Sequence, residues 1–200
     1  MLDPIDYYNR YAVPYYEETV GVSMEEVMKP FLELLPENAE VLDLGCGSGR
    51  DTVLLEEHGC YVTPLDGSKE MCKLAEVNTD KEVLLMRYEE MNFDEVFDGV
   101  WACAALVHLP LEEMKDTLQK IVHALKPEGI LYFSVHKGDR DGIYGGRYFR
   151  DYSKKEINNL LDGVPELELL ELWTTTDVRT NRPDRKWLNV LAKKTNCEIK

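Results

Sequence analysis

The segment Val41-Leu42-Asp43-Leu44-Gly45-Cys46-Gly47-Ser48-Gly49-Arg50 constrains the fold of this chain more than any other. A short apolar strand, Ala39–Leu44, runs into three glycines at alternate positions, then into a helical stretch, Asp51–His58, that Gly59 stops. Glycines in such a turn permit positive φ and let a ligand approach without Cβ atoms in the way. Strand, tight turn and helix together are the opening unit of a layered α/β sheet.

The unit recurs along the chain. Tyr61–Asp66 reads as a second strand, followed by a helix from Ser68 to about Val77; Val83–Arg87 is a third strand and Phe97–Ala104 a fourth. Leu111–Leu125 carries Met114, Leu118, Ile121, Val122 and Leu125 at helical spacing. Lys126-Pro127-Glu128-Gly129 is a turn into a fifth strand, Ile130–Val135, after which comes a long glycine-rich loop. Ser153 and Glu156 have capping-box spacing for a last helix, and two strands follow, about Leu167–Thr174 and Trp187–Ala192. Ahead of the first strand, an aromatic leader, Asp6–Tyr16, precedes a helix for which Ser23 and Glu26 also have capping-box spacing; Pro30 should bend or divide it. Alternating units predict a mostly parallel sheet with helices on both faces and ligands beyond the carboxyl ends of its strands. No repeat or linker interrupts the chain, so one domain over residues 1–200 is expected, with about 1–38 as a helical cap and 39–194 as the core.

Charge narrows the partners. The chain carries 23 Lys and Arg against 38 Asp and Glu, a net charge of −15, which disfavours nucleic acid and anionic membrane. The balance is uneven: residues 1–135 hold 10 basic and 27 acidic side chains, residues 136–194 hold 12 and 10. The longest apolar run, Val100–Val107, is too short to span a bilayer, and Met1-Leu2-Asp3-Pro4 does not begin a secretory leader. The five cysteines, 46, 60, 72, 103 and 197, are odd in number and form no C-x-x-C pair, which predicts reduced thiols and a cytoplasmic protein without a zinc site.

Asp66 follows Gly49 by 17 residues at a strand end, where a carboxylate accepts both hydroxyl protons of an adenosine ribose. Two adenosine ligands fit that geometry. A dinucleotide fingerprint, G-x-G-x-x-G, requires glycine at 50, where this chain has arginine. The G-x-G-x-G spacing preceded by Asp43 resembles instead the first motif of class I S-adenosylmethionine-dependent methyltransferases. The resemblance continues through Asp66-Gly67-Ser68, Phe97-Asp98-Gly99-Val100-Trp101-Ala102 and Leu125-Lys126-Pro127-Glu128-Gly129-Ile130-Leu131, and spans about residues 5–193.

That resemblance implies a doubly wound, Rossmann-like seven-stranded sheet of order 3-2-1-4-5-7-6, whose seventh strand, here Trp187–Ala192, is antiparallel. It implies S-adenosyl-L-methionine as cofactor. Gly45, Cys46, Gly47 and Gly49 would face its methionine part with Asp43 beneath them, Asp66 and Gly67 its ribose, Tyr88 and Glu89 its adenine, and Ala104 the end of the fourth strand. Arg87 stands where many relatives carry an acid. An aromatic leader that closes over the cofactor makes Tyr11 a candidate for its carboxylate and for the catalytic set.

On the acceptor side, His108 follows the fourth strand and His136 ends the fifth. The basic last third supplies Arg147, in a Gly146-Arg147-Tyr148-Phe149 stretch with Tyr152 that resembles small-molecule methyltransferases related to the tellurite-resistance enzymes. Arg179, Arg182, Arg185 and Lys186 lie between the last strands. Arginines there suit paired hydrogen bonds to an anionic acceptor. The expectation is methyl transfer by in-line displacement to a small molecule, with no metal. The alternatives are a non-catalytic binder of the same cofactor and, disfavoured by Arg50, a nicotinamide-dependent oxidoreductase.

Overall fold

The structure, a computed structural model, describes residues 3–195, so Cys197 lies outside the described residues. Nine strands are present among them: β1 (Glu40–Leu44), β2 (Tyr61–Asp66), β3 (Leu84–Leu85), β4 (Phe97–Ala102), β5 (Leu125–His136), β6 (Asp141–Tyr144), β7 (Arg147–Arg150), β8 (Leu167–Thr176) and β9 (Lys186–Lys194). The helices are α1 (Pro4–Arg10), α2 (Ala12–Thr19), α3 (Glu25–Leu32), α4 (Arg50–Glu57), α5 (Lys69–Thr79), α6 (Leu111–Ala124) and α7 (Lys154–Asp162).

Seven strands form one sheet of order β3-β2-β1-β4-β5-β9-β8, in which β9 alone runs antiparallel to its neighbours. With β6 and β7 set apart as a separate hairpin, this is the expected 3-2-1-4-5-7-6 order. Side chains alternate between faces of a strand, so Leu42, Leu44, Val100 and Ala102 pack with α6 and α7 residues such as Leu118 and Leu160. Val41, Trp101 and Tyr132 pack on the other face with Phe31 and Leu55. The order reverses between β1 and β4, which opens a crevice at their carboxyl ends.

Four expectations change in detail. Ser23 and Glu26 form no capping box: α3 starts after Met24, and Ser23 Oγ accepts from the Glu25 N–H at 3.3 Å. The third strand shrinks to two residues, because Arg87 leads directly into a 3-10 turn over Tyr88–Glu90 that Glu90 ties back to the Arg87 N–H. Lys126–Gly129 lies inside β5 as an irregularity, marked by a register shift against Phe97/Gly99 and a left-handed Glu128 (φ 67°). The glycine-rich loop is the β6–β7 hairpin, turned through Gly145 and Gly146, both at positive φ. By contrast the Ser153 capping box forms as expected, with Ser153 Oγ accepting from the Glu156 N–H at 3.2 Å.

Candidate active site

At the crevice, β1 ends and the backbone turns through Gly45–Gly49 into α4. A Cβ on Gly45 (φ 73°) would sit 2.7 Å from Ala105 Cβ and 2.8 Å from Tyr88 Oη, so this glycine lets the turn tuck beneath the end of β4. Gly47 (φ 55°) meets nothing closer than Tyr15 at 3.7 Å, and its missing side chain leaves room above the turn. Asp66, at the end of the adjacent strand, fixes the turn. Its Oδ2 accepts from the Gly47 N–H at 3.0 Å and its Oδ1 from the Ser68 N–H at 2.7 Å. Burial nonetheless pushes the Asp66 carboxyl up from its ordinary pKa.

Asp43 and Gly49 stand apart from the cavity lining. Asp43 points beneath the turn, where Thr52 Oγ1 donates to it at 2.6 Å. Burial, with nearby Asp51, pushes its pKa up to about 8. Gly49 is the left-handed residue before α4, and a Cβ there would press on Thr79 at 2.6 Å. Next to them Arg50 pairs with Asp51 at 2.7 Å, and Trp101 Nε1 donates to Asp51 at 2.9 Å. Despite burial, the Arg50 guanidinium holds the Asp51 carboxyl below its usual range.

Two cavities meet at the turn and a third adjoins them. The first, about 900 Å³ out to its mouth, is walled by Gly45, Gly47, Asp66, Gly67, Tyr88 and Glu89. A second, about 690 Å³, lies past the glycines against Cys46, Ser48, Arg50, Cys103 and Ser134. The third, about 680 Å³, is bounded by Tyr11, His136, Arg147, Arg179, Arg182 and Trp187. Ala104 and Tyr15 line all three, and Tyr8 lines the first and third. Tyr11 therefore belongs to the third cavity, and Tyr8 and Tyr15 are the leader tyrosines that reach the glycine turn.

The leader covers these spaces as two short helices. Asn9 Oδ1 accepts from Ser68 Oγ at 2.8 Å and from the Glu70 N–H at 3.2 Å, while Asp3 pairs with Arg87. Glu18 of α2 accepts from Asn181 and Arg182, each at 3.0 Å, and lies 3.8 Å from Arg179. Two of the basic residues of the last third, Arg179 and Arg182, thus help to hold the leader down, and Arg179 also pairs with Asp177 at 2.8 Å.

The histidines are both neutral. The His108 ring nitrogen Nδ1 faces the Tyr148 carbonyl at 2.7 Å, so it carries the hydrogen and donates. Nε2 then accepts from the Tyr8 hydroxyl at 3.0 Å. Burial lowers the His108 pKa to about 4. His136 Nδ1 accepts from Arg140 at 2.8 Å, and burial with nearby Arg185 lowers its pKa to about 3. Arg147 lies with its guanidinium carbon 3.6 Å from the Tyr7 ring centre and donates to the Tyr8 hydroxyl at 3.3 Å. Tyr152, a candidate for the acceptor side, is instead fully buried in the core beside Ile157 and lines none of the three cavities. Its register opposite Lys137 turns the ring inward.

Residues 42–133, from β1 through most of β5, match the family model described as a methyltransferase domain. Over those residues the chain is similar to a methyltransferase domain. Among relatives of this chain, a Bacillus subtilis (strain 168) protein named as a methyltransferase, YqeM, is 34% identical over 129 residues, 60% of this chain and 52% of that protein. The chain thus spans about half the length of that relative. A methyltransferase of Staphylococcus carnosus (strain TM300) is 29% identical over 164 residues and 76% of each chain. The crystal structure of Burkholderia thailandensis 1,6-didemethyltoxoflavin-N1-methyltransferase, with bound 1,6-didemethyltoxoflavin and S-adenosylhomocysteine, superposes with a TM-score of 0.72 at 25% identity, covering 98% of this chain and 92% of that one. The chain has no helix, among the described residues, long and apolar enough to cross a membrane.

Proposed function

We propose that the chain is an S-adenosylmethionine-dependent methyltransferase acting on a small molecule, with residues 3–38 as its lid and the sheet as its core. The observation that carries this reading is the meeting of two cavities at Tyr8, Tyr15 and Ala104, one lined by the glycine turn and Asp66, the other by aromatic and cationic side chains. The residues of the first suit the donor. Asp66 offers its remaining lone pairs to ribose hydroxyls, Tyr88 and Glu89 border the adenine, and Gly47, without a side chain, leaves room for the chain linking them. Cys46 and Ala104 continue the path into the second cavity, where Arg50 supplies a cation for the amino-acid carboxylate.

S-adenosylmethionine, when bound, supplies a sulfonium methyl that a nucleophile takes by in-line displacement. The chain's part is then to hold two molecules in line and exclude water. The leader does the second: α1 and α2 are tied across the cavities through Asn9, Asp3 and Glu18. Arg147, His108 and Tyr8 face the acceptor side. A small-molecule substrate is supported by the bound ligand of the Burkholderia thailandensis neighbour and by the size of the third cavity, and the free thiols at Cys46, Cys60, Cys72 and Cys103 fit a reducing, cytoplasmic setting. The test is a methyl-transfer screen over phenols, carboxylates and thiols, read as S-adenosylhomocysteine formed. Turnover with one acceptor class, lost in Asp66→Ala, is expected; donor binding without turnover on any class would leave a binder and overturn the enzyme.

A further inference from the structure

Arg147 differs from the arginines around it. Arg140 pairs with Asp151, Arg150 with Asp141, Arg179 with Asp177 and Arg182 with Glu18. For Arg147 no carboxylate lies within salt-bridge distance among the described residues, and its Nε is buried without a hydrogen-bond partner. Its guanidinium is stacked between rings, 3.6 Å from the Tyr7 centre and 4.9 Å from that of Phe149. Stacking occupies the faces of the guanidinium and leaves its N–H edge as the part able to bind. The guanidinium is half-buried and its hydrogen-bond partner is the neutral Tyr8 hydroxyl, so its charge has no counterpart, and an anion in the third cavity would supply one.

The rest of the cavity says what the anion is attached to. Its walls are the rings of Tyr7, Tyr8, Tyr11, Tyr15, Phe149 and Trp187, with His136 4.2 Å from the Trp187 ring centre. Arg179 and Arg182 also line it but are paired with Asp177 and Glu18, and neutral His136 adds no charge. Tyr8, at the passage to the donor cavity, is within 3.3 Å of Arg147, so a group held by Arg147 lies beside the passage.

We propose that the third cavity takes a planar aryl anion, a phenolate or acidic ring hydroxyl, whose charged oxygen is held by Arg147 at Tyr8 and is itself the atom methylated. This deepens the methyltransferase reading and rests on it for the chemistry. The oxygen has shed its proton to solvent before it binds, so no strong base is asked of His108. An oxygen lone pair forms the new C–O bond, the electron pair of the broken C–S bond stays on sulfur, and the sulfonium and phenolate charges cancel. The Tyr8 hydroxyl turns its hydrogen from His108 Nε2 to the incoming oxyanion, while the Nδ1–H of His108 stays on the Tyr148 carbonyl. Aromatic walls favour rings stacked or edge-on over aliphatic groups of equal charge.

Calorimetric titration of the whole chain tests this with four probes: 4-nitrophenolate, phenol, cyclohexanecarboxylate and benzoate. Each is titrated with and without S-adenosylhomocysteine, so a failure of donor binding is read separately from a failure of this cavity. The two aryl anions are expected to bind about tenfold more tightly than neutral phenol or the aliphatic anion. Arg147→Gln should abolish the preference over phenol, Arg147→Lys should retain part of it, and neither should alter S-adenosylhomocysteine affinity. Equal binding of phenol and 4-nitrophenolate, equal binding of benzoate and cyclohexanecarboxylate, or a preference unchanged in folded Arg147→Gln would each overturn the proposal. So would benzoate binding tenfold above 4-nitrophenolate, since the charge would then belong to a substituent other than a ring hydroxyl.

Discussion

Asp66 does two jobs with one carboxylate: it pins Gly47 and Ser68 through their N–H groups and faces the donor cavity. Asp66→Ala should therefore weaken S-adenosylhomocysteine by at least about 2 kcal/mol, roughly thirtyfold, in a calorimetric titration, because the ribose contact and the turn are both lost. The two glycines separate fold from binding. Gly45→Ala presses on Ala105 and Tyr88 and should lower stability by about 2–3 kcal/mol. Gly47→Ala has room and should cost only about 1 kcal/mol in a thermal melt while still weakening the ligand, since its Cβ enters the space above the turn. The glycine spacing and Asp66 were legible in the sequence because their roles are local, set by a turn and a strand end. Tyr8 and Tyr15 were not singled out from Tyr11, because which face of a short leader helix points inward is decided by contacts with His108, Ser68 and Arg182, far along the chain.

The elements that close the site are the leader helices and the β6–β7 hairpin. α2 is held by buried Ala12 and Thr19, by the Thr19–Ser48 hydrogen bond and by Glu18, whose partly exposed contact to Arg182 and Asn181 is worth less than about 1 kcal/mol. Glu18→Gln should leave the melting temperature within a few degrees of the original while hydrogen exchange at residues 12–19 accelerates; unchanged exchange there would show that the ion pair does not hold the lid. The hairpin was legible in principle. Tyr144-Gly145-Gly146-Arg147 has the two-glycine turn between aromatic strands that marks a hairpin, yet the glycines read first as a loop. Its importance is that it brings Arg147 and Phe149 to the third cavity. The third strand was overestimated for the opposite reason: Val83–Arg87 has strand-like residues, but at the sheet edge the capped turn at Arg87 ends the pairing.

Over the whole molecule, buried titratable groups set opposing limits on pH. His108 and His136 are buried neutral with pKa values lowered to about 4 and 3, so the unfolded chain binds protons before the folded one does, and stability is lost as pH falls below about 6.5. Asp43 has the reverse sign. Its carboxyl, raised to about 8, stays protonated in the fold, so its contribution is lost as pH rises toward 8. Melting temperature should accordingly peak near pH 6.5, and Asp43→Asn should flatten the fall between pH 6.5 and 8 and steepen the rise between about pH 4 and 6.5, where Asp43 opposes the histidines. An unchanged alkaline limb in that variant would place the titrating group elsewhere. The mostly parallel sheet was legible in the alternating strand and helix periods, whereas its order and antiparallel strand were implied only by the resemblance to class I methyltransferases. The pairing of the basic third with Glu18 was not, because charge counts do not say which charges meet.

The measurement that bears most directly on the donor site is calorimetry of the intact chain with S-adenosylhomocysteine and, separately, NAD. One S-adenosylhomocysteine per chain, no heat with NAD and loss of binding in Asp66→Ala is the predicted result. Absence of heat with S-adenosylhomocysteine and S-adenosylmethionine in the folded protein, or saturable binding of NAD at the same turn, would contradict it.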